Sequence, residues 1–216
     1  MLQNIIFLVD VDNTLLNNDL VKQQIKKSLA GVLGAAEAAH FWQHHDEFRS
    51  YQKLVDFPAI TRQYCSEQHS DRCEILVGDI FTEIRFADAL YPKALHVLQH
   101  LKTLGTVLIF SEGDMVYQKL KIEQSGIAGT ADGVLLFTHK LDHLPEIIKQ
   151  YQSSHLVFID DRDDKLMEIK KQAPEAITIV VCQGHYAKPG CLMEHSADRV
   201  LGSVADLLKL TAEQLL

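Results

Sequence analysis

The amino-acid sequence predicts an α/β protein, built as a doubly wound parallel sheet with an inserted α-helical cap. Short apolar runs alternate with segments of helical periodicity, and polar residues follow most of the apolar runs. Strands that alternate with helices form a parallel sheet with helices on both faces. One long helical stretch interrupts this alternation, and it accounts for the insertion.

Six apolar runs are bounded by charged or turn-forming residues and are typical of strands buried on both faces. The predicted strands are Ile5 to Val9, Thr106 to Phe110, Val134 to Phe137, Leu156 to Ile159, Ile177 to Cys182 and Arg199 to Leu201. The predicted helices between and after them are Pro92 to Leu104, Asp114 to Ser125, Leu141 to Tyr151, Arg162 to Gln172 and Ser203 to Leu216.

The insertion follows the first predicted strand. Residues 17–89 contain no convincing strand pattern, whereas residues 21–35, 38–54, 57–68 and 73–90 have apolar side chains at helical spacing. Pro58 restricts the residue before it and indicates a break between two of these helices. We therefore predict a catalytic core of residues 1–16 and 90–216 and a helical cap of residues 17–89.

Charge and hydropathy exclude several classes of protein. The formal net charge is -8 and the pI is about 5.7, and no basic cluster is present that would bind a nucleic-acid backbone. No apolar run is long enough to span a bilayer. The sequence from Met1 lacks a secretory pattern, so we expect a cytoplasmic protein. The oligomeric state stays open.

The four cysteines, Cys65, Cys73, Cys182 and Cys191, form no C-x-x-C pair. Scattered thiols in a cytoplasmic protein are usually reduced, so we expect structural, unpaired cysteines. A disulfide between Cys65 and Cys73 is the less favoured alternative.

Polar residues follow four predicted strands, at the edge where parallel sheets bind ligands. These residues are Asp10 to Thr14, Ser111 to Asp114, Thr138 to Lys140 and Asp160 to Asp164. Converging carboxylates repel one another unless a cation neutralises them, and oxygen ligands without histidine or cysteine favour Mg²⁺ over Zn²⁺. Lys140 and backbone N–H groups, including those of a helix that begins near Asp114, can balance a phosphate.

The segment Asp10 to Thr14 resembles the D-x-D-x-T motif of the haloacid dehalogenase-like hydrolases. Ser111, Lys140 and the pair Asp160-Asp161 follow in that family's order, over roughly residues 5–165. The insertion also lies where the family places a helical cap. The resemblance implies a Rossmann-like core and a Mg²⁺-dependent phosphomonoester hydrolase that acts on a small phosphorylated metabolite through an aspartyl phosphate.

The resemblance also implies roles for the catalytic candidates. Asp10 is the expected nucleophile, and Asp12 is expected to protonate the leaving group and then to activate water. Ser111 would hydrogen-bond the transferring phosphoryl group. Lys140 would neutralise that group and hold Asp10. Lys119 is an alternative to Lys140, which is favoured because it directly follows a strand.

The resemblance implies that Asp10, Asp160 and Asp161 hold the metal by their carboxylates and Asp12 by its backbone carbonyl. Asp161 is the first choice for direct ligation, and Asp160 either ligates the metal or orients a bound water. The candidate substrate-binding residues are Thr14, Ser111, Glu112 and Lys140. Thr14 is expected to order the turn, and Glu112 would be unfavourable near a phosphate unless its carboxylate points away.

Other interpretations stay open. A phosphoryl-transfer mutase and a non-catalytic phosphate-binding domain would share these motifs. A dehalogenase is disfavoured because Asp12 is present. His40, His44, His45 and Asp46 favour a polar helix face over a metal site. His185, Lys188 and Pro189 are candidates for the far rim of the cleft, but a surface loop is favoured for them.

Overall fold

The centre of the structure is a six-stranded sheet. The computed structural model describes residues 4–52, 56–68, 72–187, 190–193 and 195–215. The strands are β1 (Ile5–Val9), β2 (Thr106–Glu112), β3 (Gly133–Phe137), β4 (His155–Asp160), β5 (Ile177–Val181) and β6 (Arg199–Leu201). They lie in the order β3-β2-β1-β4-β5-β6, and every neighbouring pair is parallel. The predicted α/β fold is therefore confirmed.

Strand β1 lies between β2 and β4 and determines where ligands can bind. Val9 is in register with Ile109 of β2 and with Ile159 of β4. The chain runs outwards from β1 through β2 to β3 and then crosses back to β4 on the other side of β1. The strand order therefore reverses between β1 and β4, which opens a crevice at their carboxyl ends. The Asp10 N–H donates to the carbonyl of Ile159 at 2.9 Å, so Asp10 begins at this crevice.

Side chains of β1 alternate between two hydrophobic clusters. Ile5, Phe7 and Val9 belong to one cluster, and Ile6 and Leu8 belong to the other. This period of two arises because successive side chains of a strand point to opposite faces. Both clusters are buried, which explains why the sequence of β1 is continuously apolar.

Four helices follow β1, as the sequence predicts. They are α1 (Asn18–Leu33), α2 (Ala35–Gln52), α3 (Phe57–Gln68) and α4 (Cys73–Thr82). Helix α3 begins at the predicted break, where the Asp56 side chain accepts a hydrogen bond from the Ala59 N–H at 2.8 Å. The hydrophobic cluster that contains Val9 continues into these helices. The division into two domains therefore stays a prediction.

The two ends of the inserted helices meet at one place. Leu16 and Leu90 form an antiparallel bridge. On either side of it, the Asn17 N–H donates to the Ala89 carbonyl at 2.8 Å, and the Tyr91 N–H donates to the Leu15 carbonyl at 2.9 Å. The chain thus leaves the sheet region and returns to it through paired backbone segments beside the turn that follows β1.

The remaining helices cover the sheet and differ in part from the prediction. They are α5 (Ala94–Lys102), α6 (Tyr117–Gln124), α7 (Ile127–Thr130), α8 (Leu144–Gln150) and α9 (Asp163–Gln172). The predicted helix Ser203 to Leu216 is wrong, because two 3₁₀ helices, Val204–Lys209 and Ala212–Leu215, occupy this region and Leu216 lies outside the described residues. Leu210 separates them with extended backbone, at ψ 136°.

The expectation of reduced cysteines is wrong. Disulfides join Cys65 to Cys73 and Cys182 to Cys191, with Cα–Cα distances of 5.5 and 6.0 Å. The first links the end region of α3 to the start of α4, and both distances lie in the usual range for disulfides. The less favoured alternative, Cys65 with Cys73, is thus the observed pair, whereas the spacing of Cys182 and Cys191 does not reveal that the fold brings them together. A cytoplasmic location stays a prediction.

No helix in the described ranges is both long enough and apolar enough to cross a membrane.

Substitution of Gly105, which precedes β2, tests the close packing against the start of β1. A Cβ at this position would lie 2.4 Å from the Ile5 carbonyl oxygen and 2.9 Å from the Ile5 Cβ. We expect Gly105→Ala to lower the free energy of unfolding by about 1–3 kcal/mol, because the backbone of β1 must shift. Urea unfolding followed by circular dichroism measures this change.

Gly31→Ala is the matched control. Gly31 lies within α1, and no atom lies within 4 Å of a Cβ built there. Alanine should raise the free energy of unfolding by about 0.5–1 kcal/mol, since it favours helix. Equal effects of the two substitutions would show that the Gly105 contact is not as tight as described.

Candidate active site

The turn after β1 carries two of the predicted catalytic residues. The N–H groups of Thr14, Leu15 and Leu16 all donate to the Val11 carbonyl, at 3.2, 2.9 and 2.9 Å. Asn13 has a φ of 62°, in the left-handed region that asparagine tolerates better than most residues. This tight turn places the side chains of Asp10 and Asp12 along one cavity.

Lys140 joins the ends of β1 and β4. Its Nζ donates to Asp10 Oδ1 and Asp160 Oδ2, both at 2.7 Å, and to the Phe110 carbonyl at 3.2 Å. Burial alone lowers the pKa of Lys140, but the charges of Asp10 and Asp160 raise it above its usual value. Lys140 is therefore a buried ammonium that neutralises two carboxylates.

Lys119, the alternative lysine, lies elsewhere. Its side chain is 66% exposed and is 3.9 Å from Glu123 Oε1, on the outside of α6. It does not line the cavity, whereas Lys140 does. Of the two candidates, only Lys140 therefore lies in the cavity beside Asp10, and its role stays a prediction.

Asp10, Asp160 and Asp161 form a buried acidic cluster. One carboxylate oxygen from each lies within 4.8 Å of the others. Burial raises the pKa of Asp10 to about 7 and that of Asp161 to about 10, and the charge of Asp160 adds to both effects. Asp161 Oδ2 is buried and has no hydrogen-bond partner among the described residues. A divalent cation would offset the repulsion between these carboxylates and would give the Asp161 Oδ2 a partner.

Asp12 has partners that the sequence analysis missed. Lys121 Nζ donates to Asp12 Oδ1 and Oδ2 at 2.7 and 2.9 Å and to Asn18 Oδ1 at 3.1 Å. Gln118 Nε2 lies 3.4 Å from Asp12 Oδ1. Helical spacing could have found them, since residues 118 and 121 share the buried face of α6 and Lys119 does not.

Ser111 and Thr14 lie beneath the cavity surface. Ser111 is 1% exposed, and its Oγ accepts a hydrogen bond from Gln118 Nε2 at 3.0 Å. Thr14 is fully buried, and its Oγ1 has no partner in the described part of the chain. Neither residue lines the cavity, so the substrate contacts predicted for both of them stay predictions.

Glu112 lines the cavity and is turned towards cations. Its carboxylate lies 3.0 Å from Lys165 Nζ and accepts a hydrogen bond from the Lys140 N–H at 3.4 Å. Burial would raise the pKa of Glu112, but the charges of Lys140 and Lys165 lower it below its usual value. Glu112 is thus an ionised partner of Lys165, which limits its repulsion of a bound phosphate.

The helix after β2 begins later than predicted. It starts at Tyr117, and the Asp114 side chain accepts hydrogen bonds from the N–H groups of Val116 and Tyr117 at 3.0 and 2.7 Å. Those donors are occupied. The expected start near Asp114 is therefore wrong, these two N–H groups are not free to bind a phosphate, and a contribution of the helix to phosphate binding stays a prediction.

The inserted helices and a late loop complete the cavity. Its volume is about 180 Å³, below the ~300–1,000 Å³ typical of sites for drug-sized ligands. The residues from α1 to α3 that line it are Asn18, Lys22, Ile25, Arg49 and Phe57. His185 also lines it and lies 2.8 Å from Asp19 Oδ1, so this exposed residue lies at the rim of the cavity; residues 188 and 189 lie outside the described ranges.

Two of the three histidines of α2, His44 and His45, are buried and do not form the polar helix face that the sequence favours, whereas His40 is exposed. His45 is 2% exposed and stacks on Trp42 and Phe57, with ring centroids 4.4 and 5.5 Å apart. His44 is also buried, and ligand atoms of His40, His44 and Glu67 lie within 4.8 Å of one another. Glu67 comes from α3, which explains why spacing within α2 did not indicate it.

Comparisons with known proteins give matches that cover most of the chain. A family model described as haloacid dehalogenase-like hydrolase matches residues 6–171. A protein from Burkholderia xenovorans LB400, described as a haloacid dehalogenase-like hydrolase, has a structure with a TM-score of 0.88 and 34% identity, over 99% of each chain. No curated protein sequence matches the chain.

More distant structures share the fold. The L-2-haloacid dehalogenase from Xanthobacter autotrophicus has a TM-score of 0.62 and 16% identity, over 97% of this chain and 98% of that one. A magnesium-bound hydrolase of the same superfamily from Bacillus subtilis has a TM-score of 0.63 and 13% identity, over 97% and 100% of the two chains.

Asp161 provides a test of the acidic cluster. An acid whose pKa is raised in the folded state loses stability as the pH rises above its unfolded value near 3.8. Without divalent cations, Asp161→Asn should therefore gain stability over the wild type as the pH rises from 5 to 8, by up to about 1.4 kcal/mol per pH unit. Chemical unfolding at several pH values measures the difference.

With Mg²⁺, the difference in stability between the wild type and Asp161→Asn should shift towards the wild type. Adding Mg²⁺ at pH 8 should stabilise the wild type, because the ion binds the ionised cluster, and should stabilise Asp161→Asn less. Parallel stability curves for the two proteins, with and without Mg²⁺, would contradict both the raised pKa and the cation site.

Proposed function

Because this chain belongs to the haloacid dehalogenase-like hydrolase family, we propose that it is a Mg²⁺-dependent phosphomonoester hydrolase that acts on a small phosphorylated metabolite. One observation carries the proposal: a second carboxylate, Asp12, lines the same cavity as the nucleophile Asp10. An alkoxide leaving group needs a proton and a halide does not, so this pair suits a phosphate ester better than a haloacid.

The acidic cluster supports the magnesium requirement. Asp10, Asp160 and Asp161 offer only carboxylate oxygens, which suit a hard cation, and Asp161 Oδ2 is buried without a partner among the described residues. The backbone carbonyl of Asp12 is the fourth proposed ligand. When bound, Mg²⁺ would withdraw negative charge from the phosphoryl oxygens and favour the ionised form of these carboxylates.

Asp10 is the proposed nucleophile. Lys140 holds its Oδ1, whereas its Oδ2 accepts no hydrogen bond from any described residue. An Asp10 oxygen would attack phosphorus and form an aspartyl phosphate as the bond from phosphorus to the ester oxygen breaks. Lys140 keeps the carboxylate in one orientation and offsets charge on the phosphoryl group.

Asp12 is the proposed acid and base. It would donate a proton to the leaving oxygen, and then accept a proton from the water that attacks the aspartyl phosphate. Inorganic phosphate leaves, and the Asp10 carboxylate is regenerated. Lys121 and Gln118 fix the direction of Asp12 from α6, which makes them positioning residues.

Two rivals would share the fold or the carboxylates of this site. The L-2-haloacid dehalogenase from Xanthobacter autotrophicus shares the fold, but at 16% identity this likeness does not extend to the substrate. A phosphoryl-transfer mutase would use the same carboxylates and return the phosphate to its substrate. A dehalogenase would release halide and a mutase would release an isomeric phosphate ester, whereas a phosphatase releases inorganic phosphate, so product analysis separates the three.

The nucleophile is tested by Asp10→Asn. We expect the wild type to release phosphate from p-nitrophenyl phosphate with Mg²⁺ but not with EDTA, and Asp10→Asn to lose roughly 10³-fold or more in kcat. Asparagine keeps the size of the side chain, and circular dichroism checks the fold. Chloride release from 2-chloropropionate without phosphate release would instead establish a dehalogenase, and a folded wild type that hydrolyses no phosphomonoester would refute the proposal.

The positioning role is tested by Lys121→Met, with the exposed Lys119→Met as the matched control. If Lys121 orients the acid, its loss should lower kcat about 10- to 100-fold for an alkyl phosphate, whose leaving group needs a proton. The loss should be smaller for p-nitrophenyl phosphate, whose leaving group needs little help. Equal losses for both substrates would indicate a purely structural role for Lys121.

A further inference from the structure

The cations that line the cavity fall into two groups. Six lysine and arginine side chains line it among the described residues. Four of them pair with carboxylates of the protein: Lys121 with Asp12, Lys140 with Asp10 and Asp160, Arg162 with Asp164, and Lys165 with Glu112. The other two, Lys22 and Arg49, have neither an ion pair nor a hydrogen bond to any described side chain.

Lys22 lies where a charged side chain without an ion-pair partner is unfavourable. It lies in α1, one turn after Asn18, and is half-buried. Burial lowers the pKa of Lys22, and the positive charge of Arg49 lowers it further, whereas Asp12 and Asp19 only partly offset these effects. A pair of like charges that face one cavity is stabilised when an anion binds between them.

Arg49 lies at the mouth of the cavity. It belongs to α2 and also lines an adjoining outer cavity together with Glu112 and Lys165. Its guanidinium can bind both oxygens of a carboxylate or phosphate, and the Lys22 ammonium can add a point charge. Both side chains come from the inserted helices, whereas the acidic cluster lies at the strand ends of the sheet.

We propose that Lys22 and Arg49 form a second anion site, which binds an oxyanion group on the same molecule whose phosphoryl group is transferred to Asp10. The substrate is then a short phosphomonoester that carries a second negative charge. The two groups line one cavity of about 180 Å³, which favours a short substrate. This inference rests on the proposed phosphatase function and deepens it.

The test uses two-carbon phosphate esters that differ in their second group. Ethyl phosphate has no second charge, 2-phosphoglycolate carries a carboxylate, and ethylene glycol bisphosphate carries a second phosphate. With Mg²⁺, kcat/KM of the wild type should be at least about tenfold higher for an anionic ester than for ethyl phosphate. A hydrogen bond to a charged group stabilises a complex by enough to change an equilibrium constant about tenfold or more. The two anionic esters distinguish a carboxylate from a phosphate.

Variants assign the preference to the two residues. In Lys22→Met with Arg49→Met, the ratio of kcat/KM for the preferred anionic ester to that for ethyl phosphate should fall at least about tenfold. Lys27→Met, an exposed lysine of α1, should leave this ratio unchanged. In Lys22→Glu, the preference should reverse in favour of O-phosphoethanolamine, which shows that a change of charge and not misfolding is responsible.

Binding separates the two proposals. Titration calorimetry on folded Asp10→Asn with Mg²⁺ should show tighter binding of 2-phosphoglycolate or the bisphosphate than of ethyl phosphate, whether or not the wild type turns them over. Hydrolysis of all three esters at equal efficiency, with no effect of the variants on the ratio, would overturn the second anion site and leave the phosphatase proposal intact. Equal binding of all three esters, with no hydrolysis of any, would overturn both.

Discussion

The site depends on one interaction, the contact of the Lys140 ammonium with Asp10 and Asp160. Each N–O distance is 2.7 Å, and the three groups come from the ends of β1 and β4 and from the segment after β3. A buried carboxylate pair without this cation would repel strongly, and a buried lysine without the carboxylates would lose its proton. The arrangement of the sheet and the charge of the site therefore stabilise each other.

This constraint explains why the sheet and the helices contribute different kinds of side chain to the cavity. The sheet supplies carboxylates that are fixed by backbone hydrogen bonds and by Lys140, so their positions depend on strand register. The helices supply side chains with more freedom, among them Lys22 and Arg49. The residues proposed to carry the reaction thus lie at the strand ends, which are held by the sheet. Residues that recognise one substrate can lie on the helices.

The sequence predicts the sheet well because its strands are continuously apolar and its site residues follow directly after strands. Lys140 is found in this way. Lys121 and the disulfide partner of Cys182 are not, because their contacts depend on how distant segments pack. The predicted Ser203 helix fails for a local reason, since a run of helical spacing does not distinguish an α-helix from 3₁₀ turns interrupted at Leu210.

The backbone bridge between Leu16 and Leu90 has an evolutionary consequence. Because the inserted chain departs and returns at adjacent points, its length affects the sheet only through the entropy of closing a loop, which grows slowly with the number of residues. Helices can be added, lost or exchanged there without altering the register that places Asp10 beside Asp160. The junction thus lets one reaction centre acquire new specificities by replacing a single continuous segment of the gene.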